Sequence, residues 1–425
     1  MTRKKSRLDY KWVILTVCFL MEFLCLGFCS SNPGLYTKAV TDALHIKRSL
    51  YSLGSSIRYV AQVITALYFG TMIGKFGVKK MSLAGFVGLV GSVWIRVVAT
   101  NIIHIYIASV LWGMGIVFVG GTMASTIVRR WFHENVGRYT GIVMSANGIG
   151  GAVAAQIISP LINNGEVFGY RKAYILSAVI GVAITAIVMI FLREHPEDGP
   201  VVAASVGKKK QPRGGLWVGT PYEQLRKKPY FYAALVLVFL TGISIQSVSS
   251  VSIVYSQDMG YSAEFIATAA TVSSLCLTFS KVLVGMTYDK KGLGVTLLIC
   301  QSCALFGFLQ KCFQTNTPTG MTLNMIATVM NSLAMPLETV MISLIAGDLF
   351  GAASYHKVLG IVMAMNSLGL CLGSPLGDWC REWFGSYKPC FWFFAVVMVI
   401  VMIGYRFVLR AAEQEKKKVL AQTEA

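Results

Sequence analysis

The chain has 425 residues, of which 55% are hydrophobic and only 13% are charged. Soluble domains carry about twice that share of charged residues, whereas long apolar runs are typical of membrane-spanning helices. The composition therefore excludes a secreted disulfide scaffold, a disordered chain and a soluble nucleic-acid-binding domain, in spite of a formal net charge of +19.

The apolar sequence falls into twelve runs separated by polar breaks. Each run is long enough to cross a hydrocarbon core of about 30 Å as a helix. A basic segment precedes the first run and no small-residue cleavage site follows it, so we expect this helix to be retained. We predict an all-α membrane protein with twelve transmembrane helices, or ten or eleven if a weak run such as 294–313 is only re-entrant. In chain order the runs are 12–31, 50–73, 81–99, 102–127, 138–162, 172–192, 230–255, 263–286, 294–313, 319–346, 354–378 and 388–409.

The basic residues are concentrated in alternate connections. They occur before the first run, after the second, fourth and eighth runs, in the long connection 193–229 and in the tail. Because cytoplasmic loops are enriched in Lys and Arg, we predict that both termini and the long connection face the cytoplasm. The predicted organisation is a six-helix bundle over 1–192, a cytoplasmic linker loop over 193–229 and a second bundle with a basic tail over 230–425. The charge is then a topology signal, and no nucleic acid is expected as a partner.

The two halves of the chain resemble each other in sequence. Two ten-residue segments agree at six positions, and two further motif pairs recur at nearly the same offset. The three offsets are 219, 216 and 215 residues, which indicates one duplication. Two pseudo-symmetric six-helix bundles in the same orientation form the parallel repeat of many transporters. The pairs are Gly141–Gly150 with Gly360–Gly369, Phe168–Arg171 with Phe384–Lys388, and Gly70–Gly77 with Gly285–Gly292.

On these motifs the chain resembles the major facilitator superfamily over essentially its whole length. That family places G-x-x-x-D-[RK]-x-G-[RK]-[RK] between its second and third helices. The resemblance implies the major facilitator fold and a charge latch that gates the cytoplasmic side. The alternative is a tight basic turn that serves only topology. Because Gly74 replaces the acid in the first half, we expect a weaker latch there. The matching residues are Gly70, Lys75 and Gly77 in the first half and Gly285, Asp289, Lys290 and Gly292 in the second.

Within the superfamily, the chain looks most like the monocarboxylate and oxalate/formate antiporter branch. The motifs are Arg130-Trp-Phe after the fourth run, Arg138-Tyr-Thr-Gly, and the later Phe-Gly-aromatic-Arg. Members of that branch usually bind a substrate carboxylate with a basic residue four positions before the second-half motif, where this chain has Lys281. The second basic residue of the oxalate-type carrier has no match, and Asn366 lies in that stretch. The resemblance therefore implies a substrate with one carboxylate.

Four ionisable residues lie well inside the predicted helices. An unpaired charge at mid-bilayer costs at least about 2.5–3.5 kcal/mol, so such residues are functional candidates. We predict that Lys281 and Arg58 bind the substrate and that Glu22 or Glu338 carries a coupled proton. The alternatives are snorkelling of the two basic residues to the membrane surfaces, a helix–helix hydrogen bond for Glu22, and a bond from Glu338 to backbone freed by a neighbouring proline.

Three further polar residues lie within the runs. Asn147 and Asn366 occupy equivalent places in the repeat and are predicted to line the substrate cavity, with interhelical hydrogen bonding as the alternative. Arg96 lies fifteen residues past Met81. We expect Arg96 to reach the outer surface, and it is not included in the predicted site.

These features predict a secondary active transporter for a small, monocarboxylate-like organic anion, driven by protons or by anion exchange. A rival hypothesis is proton-driven efflux of an amphipathic or cationic compound with Glu22 as its partner. A transporter-like sensor that signals through 193–229 is disfavoured, because that connection has no helical pattern. No G-x-x-x-x-G-K-[ST], H-E-x-x-H or G-x-S-x-G motif occurs, so neither direct ATP drive nor an enzyme is expected.

No cofactor or metal is expected either. Cys300 and Cys303 form a C-x-x-C inside an apolar run, without a second pair of ligands nearby. The expected partners are a small-molecule anion, protons and the lipid bilayer. The chain is expected to act as a monomer in the cell membrane.

Overall fold

The computed structural model describes residues 5–30, 33–46, 48–132, 134–162, 168–194, 217 and 219–424. Within these ranges the chain is helical, with sixteen α-helices, one π-helical turn and one 3₁₀ turn. It forms two compact units, residues 1–206 and 207–425. Of the linker predicted over 193–229, residues 195–216 and 218 lie outside the described residues.

The first unit contains eight of the α-helices. Its main packing pairs are α4 with α5, α3 with α5, and the π-helical turn with α7. Helix α8 packs against α4. The bounds are α1 Lys5–Glu22, the π-helical turn Phe23–Phe28, α2 Pro33–Ala43, α3 Arg48–Phe76, α4 Val78–Val97, α5 Ile102–Val119, α6 Gly121–Trp131, α7 Val136–Ile162 and α8 Gly169–Phe191.

The second unit contains the other eight α-helices. Its main packing pairs are α10 with α15 and α12 with both α13 and α16. The bounds are α9 Tyr222–Leu225, α10 Pro229–Asp258, α11 Ala263–Lys291, α12 Leu293–Cys312, α13 Pro318–Ala334, the 3₁₀ turn Met335–Glu338, α14 Val340–Phe350, α15 Tyr355–Phe384 and α16 Lys388–Glu424.

Nine helical segments in the described chain are long and apolar enough to cross a membrane, and a tenth if the bent pair Pro318–Glu338 and Val340–Phe350 is one span. The run 294–313, singled out as weak, is among them as Leu293–Cys312. Helices α3 and α11 are not, although each has 29 residues. These two helices carry Arg58 and Lys281. The prediction of twelve membrane-spanning helices remains a prediction.

Glycine allows the closest helix contacts in each unit. A Cβ placed on Gly150 of α7 would lie 2.5 Å from the carbonyl oxygen of Phe23 and 2.8 Å from the Cα of Gly27. A Cβ on Gly369 of α15 would lie 2.6 Å from the carbonyl oxygen of Phe239 in α10. Only residues without a side chain permit backbones to approach so closely. Gly150 and Gly369 are repeat partners, so the same contact recurs in both units.

The end of the predicted linker belongs to the second unit. The Trp217 indole donates to the carbonyl oxygen of Asp348 at 3.1 Å, and the backbone N–H of Ala352 donates to the Trp217 carbonyl at 2.8 Å. The short helix α9 follows. These bonds attach the chain to the connection between α14 and α15 before α10 begins.

Candidate functional site

Both units interrupt the helix that corresponds to their fourth predicted span. In the first unit, Gly120 separates α5 from α6 with extended backbone angles (φ −76°, ψ −160°). In the second unit, α13 passes through a 3₁₀ turn to Thr339, and the chain bends by 48° before α14. Gly120 and Thr339 are 219 residues apart, which is the offset of the longest sequence repeat. The interruption is therefore common to both copies of the duplication.

Glu22 lies beside the interruption in the first unit. It ends α1 immediately before the π-helical turn, and its side chain is 0% exposed. Its Oε2 atom lies 3.9 Å from the position that a Cβ on Gly121 would occupy. Single π-helical turns within α-helices are frequent at functional sites. A buried carboxyl group thus lies where both α1 and the α5–α6 helix depart from regular geometry.

Glu338 lies at the interruption in the second unit, as the last residue of the 3₁₀ turn. Its Oε1 atom is buried and accepts no hydrogen bond from any residue that the structure describes. The backbone freed by Pro336 is therefore not bonded to this oxygen. Helix α11, which carries Lys281, packs against the same turn. The second unit thus combines a helix with a buried cation and a turn whose acid has one buried oxygen.

The two predicted substrate-binding cations are held differently. Lys281 is 1% exposed within α11, so its side chain does not extend to the protein surface as a snorkelling lysine would. Arg58 is half-buried in α3, and its guanidinium lies 4.4 Å from the ring centre of Tyr59 and 4.8 Å from that of Trp112.

The two repeat-related asparagines differ in burial. Asn366 is 2% exposed, and its Oδ1 atom lies 3.0 Å from the position of a Cβ on Gly242 of α10. Asn147 is half-buried in α7, and its carbonyl oxygen lies 3.1 Å from the corresponding position on Gly27. Both residues lie where a long helix crosses another segment of its own unit at a glycine, Gly242 in α10 and Gly27 in the π-helical turn.

The predicted gating motifs form the tight turns that end α3 and α11. Gly77 and Gly292 are the single residues between consecutive helices, and both have φ near +80°. Gly70, Lys75, Gly285, Asp289 and Lys290 lie in the last two turns of these helices. Gly77 and Gly292 lie far along the chain from the two predicted substrate-binding cations, ~28 Å from Arg58 and ~16 Å from Lys281 at 1.5 Å per residue.

An acid that the sequence did not predict lies beside the first-half motif. Glu194 follows α8, and its Oε1 accepts the backbone N–H of Lys79 at 3.0 Å. A Cβ on Gly77 would lie 2.7 Å from this oxygen. A carboxylate at the first turn of α4 is stabilised by the free N–H groups there. The motif that lacks its own acid at Gly74 therefore has one nearby from a distant part of the chain, which no local pattern predicts.

The prediction that Arg96 reaches the outer surface is wrong. Its side chain is 8% exposed, and its guanidinium lies 4.2 Å from the ring centre of Trp112. Lys311, 215 residues later, is also 8% exposed. The position of Arg96 near the end of its run suggested exposure, but neighbouring helices of the first unit cover it. The shared 215-residue offset was the signal that could have identified the pair.

The described residues contain no group of three His, Cys, Asp or Glu side chains that could hold a metal ion. Cys300 and Cys303 are unpaired thiols in α12. The candidate site residues lie on the long helices α3, α7, α11 and α15 and beside the two interrupted spans.

Comparison with known proteins identifies the family. A model of the Major Facilitator Superfamily matches residues 15–323 and 313–425. Monocarboxylate transporter 13 of Bos taurus is 22% identical over 396 residues, which cover 89% of this chain and 85% of that protein.

Two bacterial relatives align over shorter stretches. The uncharacterized MFS-type transporter YcxA of Bacillus subtilis (strain 168) is 25% identical over 210 residues, 49% of each protein. The sialic acid transporter NanX of Escherichia coli (strain K12) is 22% identical over 285 residues, 64% of this chain and 62% of NanX. The alignments thus span less than two thirds of either bacterial protein.

Solved structures agree in fold. The proton:xylose symporter XylE matches with a TM-score of 0.71 and 15% identity, over 95% of this chain and 96% of that structure. The nucleoside transporter NupG matches with a TM-score of 0.60 and 12% identity, over 94% of this chain and 99% of that structure. These proteins are transporters and not enzymes. With its repeated, apolar helices and a family match that extends along nearly the whole sequence, the chain belongs to the Major Facilitator Superfamily as a multi-pass membrane protein.

Proposed function

We propose that this protein is a secondary active transporter that moves a small, monocarboxylate-like organic anion across the cell membrane by alternating access. The observation that carries the proposal is the burial of Lys281, which is 1% exposed in a helix that packs against the interrupted span of its own unit. A cation buried within a membrane protein is costly. Buried ionisable residues in membrane helices are therefore candidates for substrate binding, and an ammonium group is suited to bind a carboxylate.

We assign the substrate carboxylate to Lys281, with Arg58 as the second basic group. Glu22 and Glu338 are the proposed proton carriers, because a carboxyl group withdrawn from water is readily kept neutral and can take up and release a proton. Transporters of known mechanism often place coupling-ion sites at interrupted helices. In this chain the acids lie at the two interruptions at Gly120 and Thr339.

The two asparagines receive different proposed roles. Asn366 is buried against the backbone at Gly242, which supports a packing role between α15 and α10. Asn147 is half-buried, and we assign it a contact with a polar substrate. The glycine turns at Gly77 and Gly292, with their neighbouring charges, are the proposed cytoplasmic gates, in an orientation with both termini in the cytoplasm.

The comparisons support an acid as the substrate class. Two relatives are named for carboxylic acids, the sialic acid transporter NanX and monocarboxylate transporter 13. The alignment with the latter covers 89% of this chain. Symport with protons and exchange of anions are both compatible with a site that contains a cation and separate acids.

The test is uptake of labelled formate, lactate, pyruvate and oxalate into proteoliposomes, with and without an inward proton gradient. We expect gradient-stimulated uptake or exchange of at least one monocarboxylate. Lys281→Gln should reduce this uptake at least 100-fold, about the effect of losing one charge-assisted contact of 2.7 kcal/mol. Lys281→Arg should restore part of it.

The control is Ser280→Ala, a change at the adjacent, equally buried residue of α11. It should leave uptake within about twofold of wild type, since its hydroxyl donates only to the Leu277 carbonyl within the helix. Unchanged uptake in folded Lys281→Gln protein would remove Lys281 from the site. Ethidium-type efflux that requires Glu22 but not Lys281 would favour the cationic-substrate hypothesis instead.

A further inference from the structure

The first unit contains a partly open cavity lined by residues of α2, α3, α4, α5 and α8. Its water-accessible volume is about 40 Å³, which is room for about two or three water molecules. The lining is aromatic and polar, and among the residues that the structure describes it includes one ionisable cation and no Asp or Glu. The lining side chains used below are Tyr36, Arg96, Ser109, Trp112, Tyr174 and Ser177.

Arg96 provides the positive charge of this cavity. It is 8% exposed, and its Nε–H finds no acceptor among the described residues. The C-terminal end of α4 and the Trp112 ring at 4.2 Å favour the charge in part. Neither of them accepts the hydrogen bonds of the guanidinium. A buried donor without an acceptor costs about 1–3 kcal/mol, and more when it is charged.

Two further buried donors near the same ring are in the same situation. The Trp112 Nε1–H and the Arg58 Nε–H also find no acceptor in the described chain. Arg58 lies 4.8 Å from the ring centre of Trp112, so two like charges flank one indole. The hydroxyl groups of Ser109 and Ser177 donate to carbonyl oxygens of their own helices, at 2.9 and 2.8 Å. The region therefore contains three buried N–H donors that have no acceptor in the described chain.

The second unit shows how the same position is satisfied without a ligand. Lys311 is the penultimate residue of α12, as Arg96 is of α4. Its Nζ donates to Asn324 Oδ1 of α13 at 3.0 Å and to Ser256 Oγ at 3.4 Å. On the corresponding helix of the first unit, α5, the polar residue that lines the cavity is the shorter Ser109. The first unit therefore has Ser109 where the second has Asn324, and its cavity lacks the amide oxygen that accepts from Lys311.

We propose that this cavity is a binding site for a small monovalent anion, a halide or the carboxylate group of a one- to three-carbon acid. The Arg96 guanidinium binds the anion, and the Trp112 indole N–H and the tyrosine hydroxyls complete its shell. The site lies wholly within the first unit and does not include Lys281. It goes beyond the proposed transport function, and its occupancy can be measured without any flux.

The experiment measures thermal unfolding of the purified full chain in detergent, in sodium gluconate, chloride or formate at a constant ionic strength of about 100 mM. Gluconate is too large for the cavity. We expect chloride or formate to raise the unfolding temperature by about 1–3 °C over gluconate, because a ligand that binds only the folded state stabilises it by mass action. A rise with chloride alone identifies a halide site, and a larger rise with formate identifies a carboxylate site.

Four variants localise the effect. Arg96→Gln should abolish the anion-dependent rise, and Ser109→Asn should abolish it while keeping the charge, because the amide fills the cavity as Asn324 serves Lys311. Lys311→Gln and Lys281→Gln should retain the rise, whatever their own stability. If Arg96→Gln does not fold, the anion-dependent rise in unfolding temperature of Ser109→Asn and Trp112→Phe tests the site instead.

No rise in wild-type protein, or a rise that persists in Arg96→Gln or in Ser109→Asn, overturns the site. A rise that is lost in Lys281→Gln and kept in Arg96→Gln also overturns it, and shows binding at the proposed transport site instead. If no transport is observed but the Arg96-dependent rise in unfolding temperature remains, the transport proposal fails and the anion-site proposal stands.

Discussion

Arg96 and Lys311 occupy the same position in the two halves of the chain, as the second-to-last residue of a 20-residue helix that follows a glycine with φ near +80°. Each is 8% exposed. Lys311 is bonded to neutral oxygen acceptors, whereas Arg96 lies against an indole ring. One duplicated cation has thus acquired two different environments, and the difference comes from residues on neighbouring helices.

The Lys311 environment gives the first prediction. Asn324→Leu should lower the free energy of unfolding by about 1–3 kcal/mol, because it removes the 3.0 Å acceptor and leaves the buried amine only Ser256 at 3.4 Å. Thermal unfolding in detergent measures this loss. The double variant Lys311→Met/Asn324→Leu should recover most of it, since neither polar partner then remains buried. A double variant as unstable as the sum of the single ones would contradict the pairing.

The glycine contacts give a second prediction. Gly150→Ala should destabilise the protein by about 1–3 kcal/mol, because the new methyl group would lie 2.5 Å from the carbonyl oxygen of Phe23. Gly91→Ala in α4 is the matched control, with no atom within 4 Å of the new methyl group. That change should be neutral or stabilise the helix by up to about 1 kcal/mol. Equal unfolding temperatures for the two variants would show that α7 and the π-helical turn do not pack as described.

A third prediction concerns the turns of the gating motif. Gly77→Ala and Gly292→Ala both force a side chain into backbone angles that favour glycine, at a cost of about 1–3 kcal/mol each. Gly77→Ala should cost more, because its methyl group would also meet the Glu194 carboxylate at 2.7 Å, whereas Gly292 has nothing within 4 Å.

Glu194→Ala tests the cause of that difference. In a Glu194→Ala background the two glycine substitutions should cost the same within about 0.5 kcal/mol, as measured by thermal unfolding. A difference that persists without the carboxylate would assign it to another neighbour of Gly77.

The fourth prediction concerns coupling. Glu22→Gln and Glu338→Gln remove the two proposed proton carriers while preserving side-chain shape. We expect at least one of them to eliminate stimulation of uptake by an inward proton gradient but to retain exchange of internal for external anion, because exchange needs no net proton movement. Proteoliposomes loaded with unlabelled substrate measure both activities. Full gradient stimulation in both variants would exclude these carboxyl groups as carriers.

Hydropathy predicted most helices well because a helix in lipid requires a continuous apolar segment, and such a segment can be recognised in the amino-acid sequence. The predicted run 172–192 corresponds to α8, Gly169–Phe191, and the run 294–313 to α12, Leu293–Cys312. It failed to predict the interruptions at Gly120 and Thr339. Both lie within apolar sequence, and hydropathy does not report where an apolar backbone leaves helical geometry.

Sequence distance along a helix was a poor guide to the surroundings of a charge. Arg96 lies near the end of α4, from which a long side chain can reach the membrane surface if the helix faces lipid. In the structure α5 and α8 cover it, and Trp112 lies against it. Glu194 was overlooked for a similar reason, since its partner Lys79 is 115 residues away in sequence.

The sequence by itself determined the all-helical membrane class, the duplication and the superfamily, because apolar periodicity, repeated motifs and glycine at tight turns are local properties. Only the tertiary structure decided which charges are buried and what surrounds them. Glu22 and the buried oxygen of Glu338 lie at interrupted helices, Lys311 lies among amide and hydroxyl oxygens, and Arg96 lies in a cavity whose described lining contains no Asp or Glu. The reason is physical. The free energy of a buried charge depends on acceptors contributed by other helices, and these are set by packing rather than by neighbours in sequence.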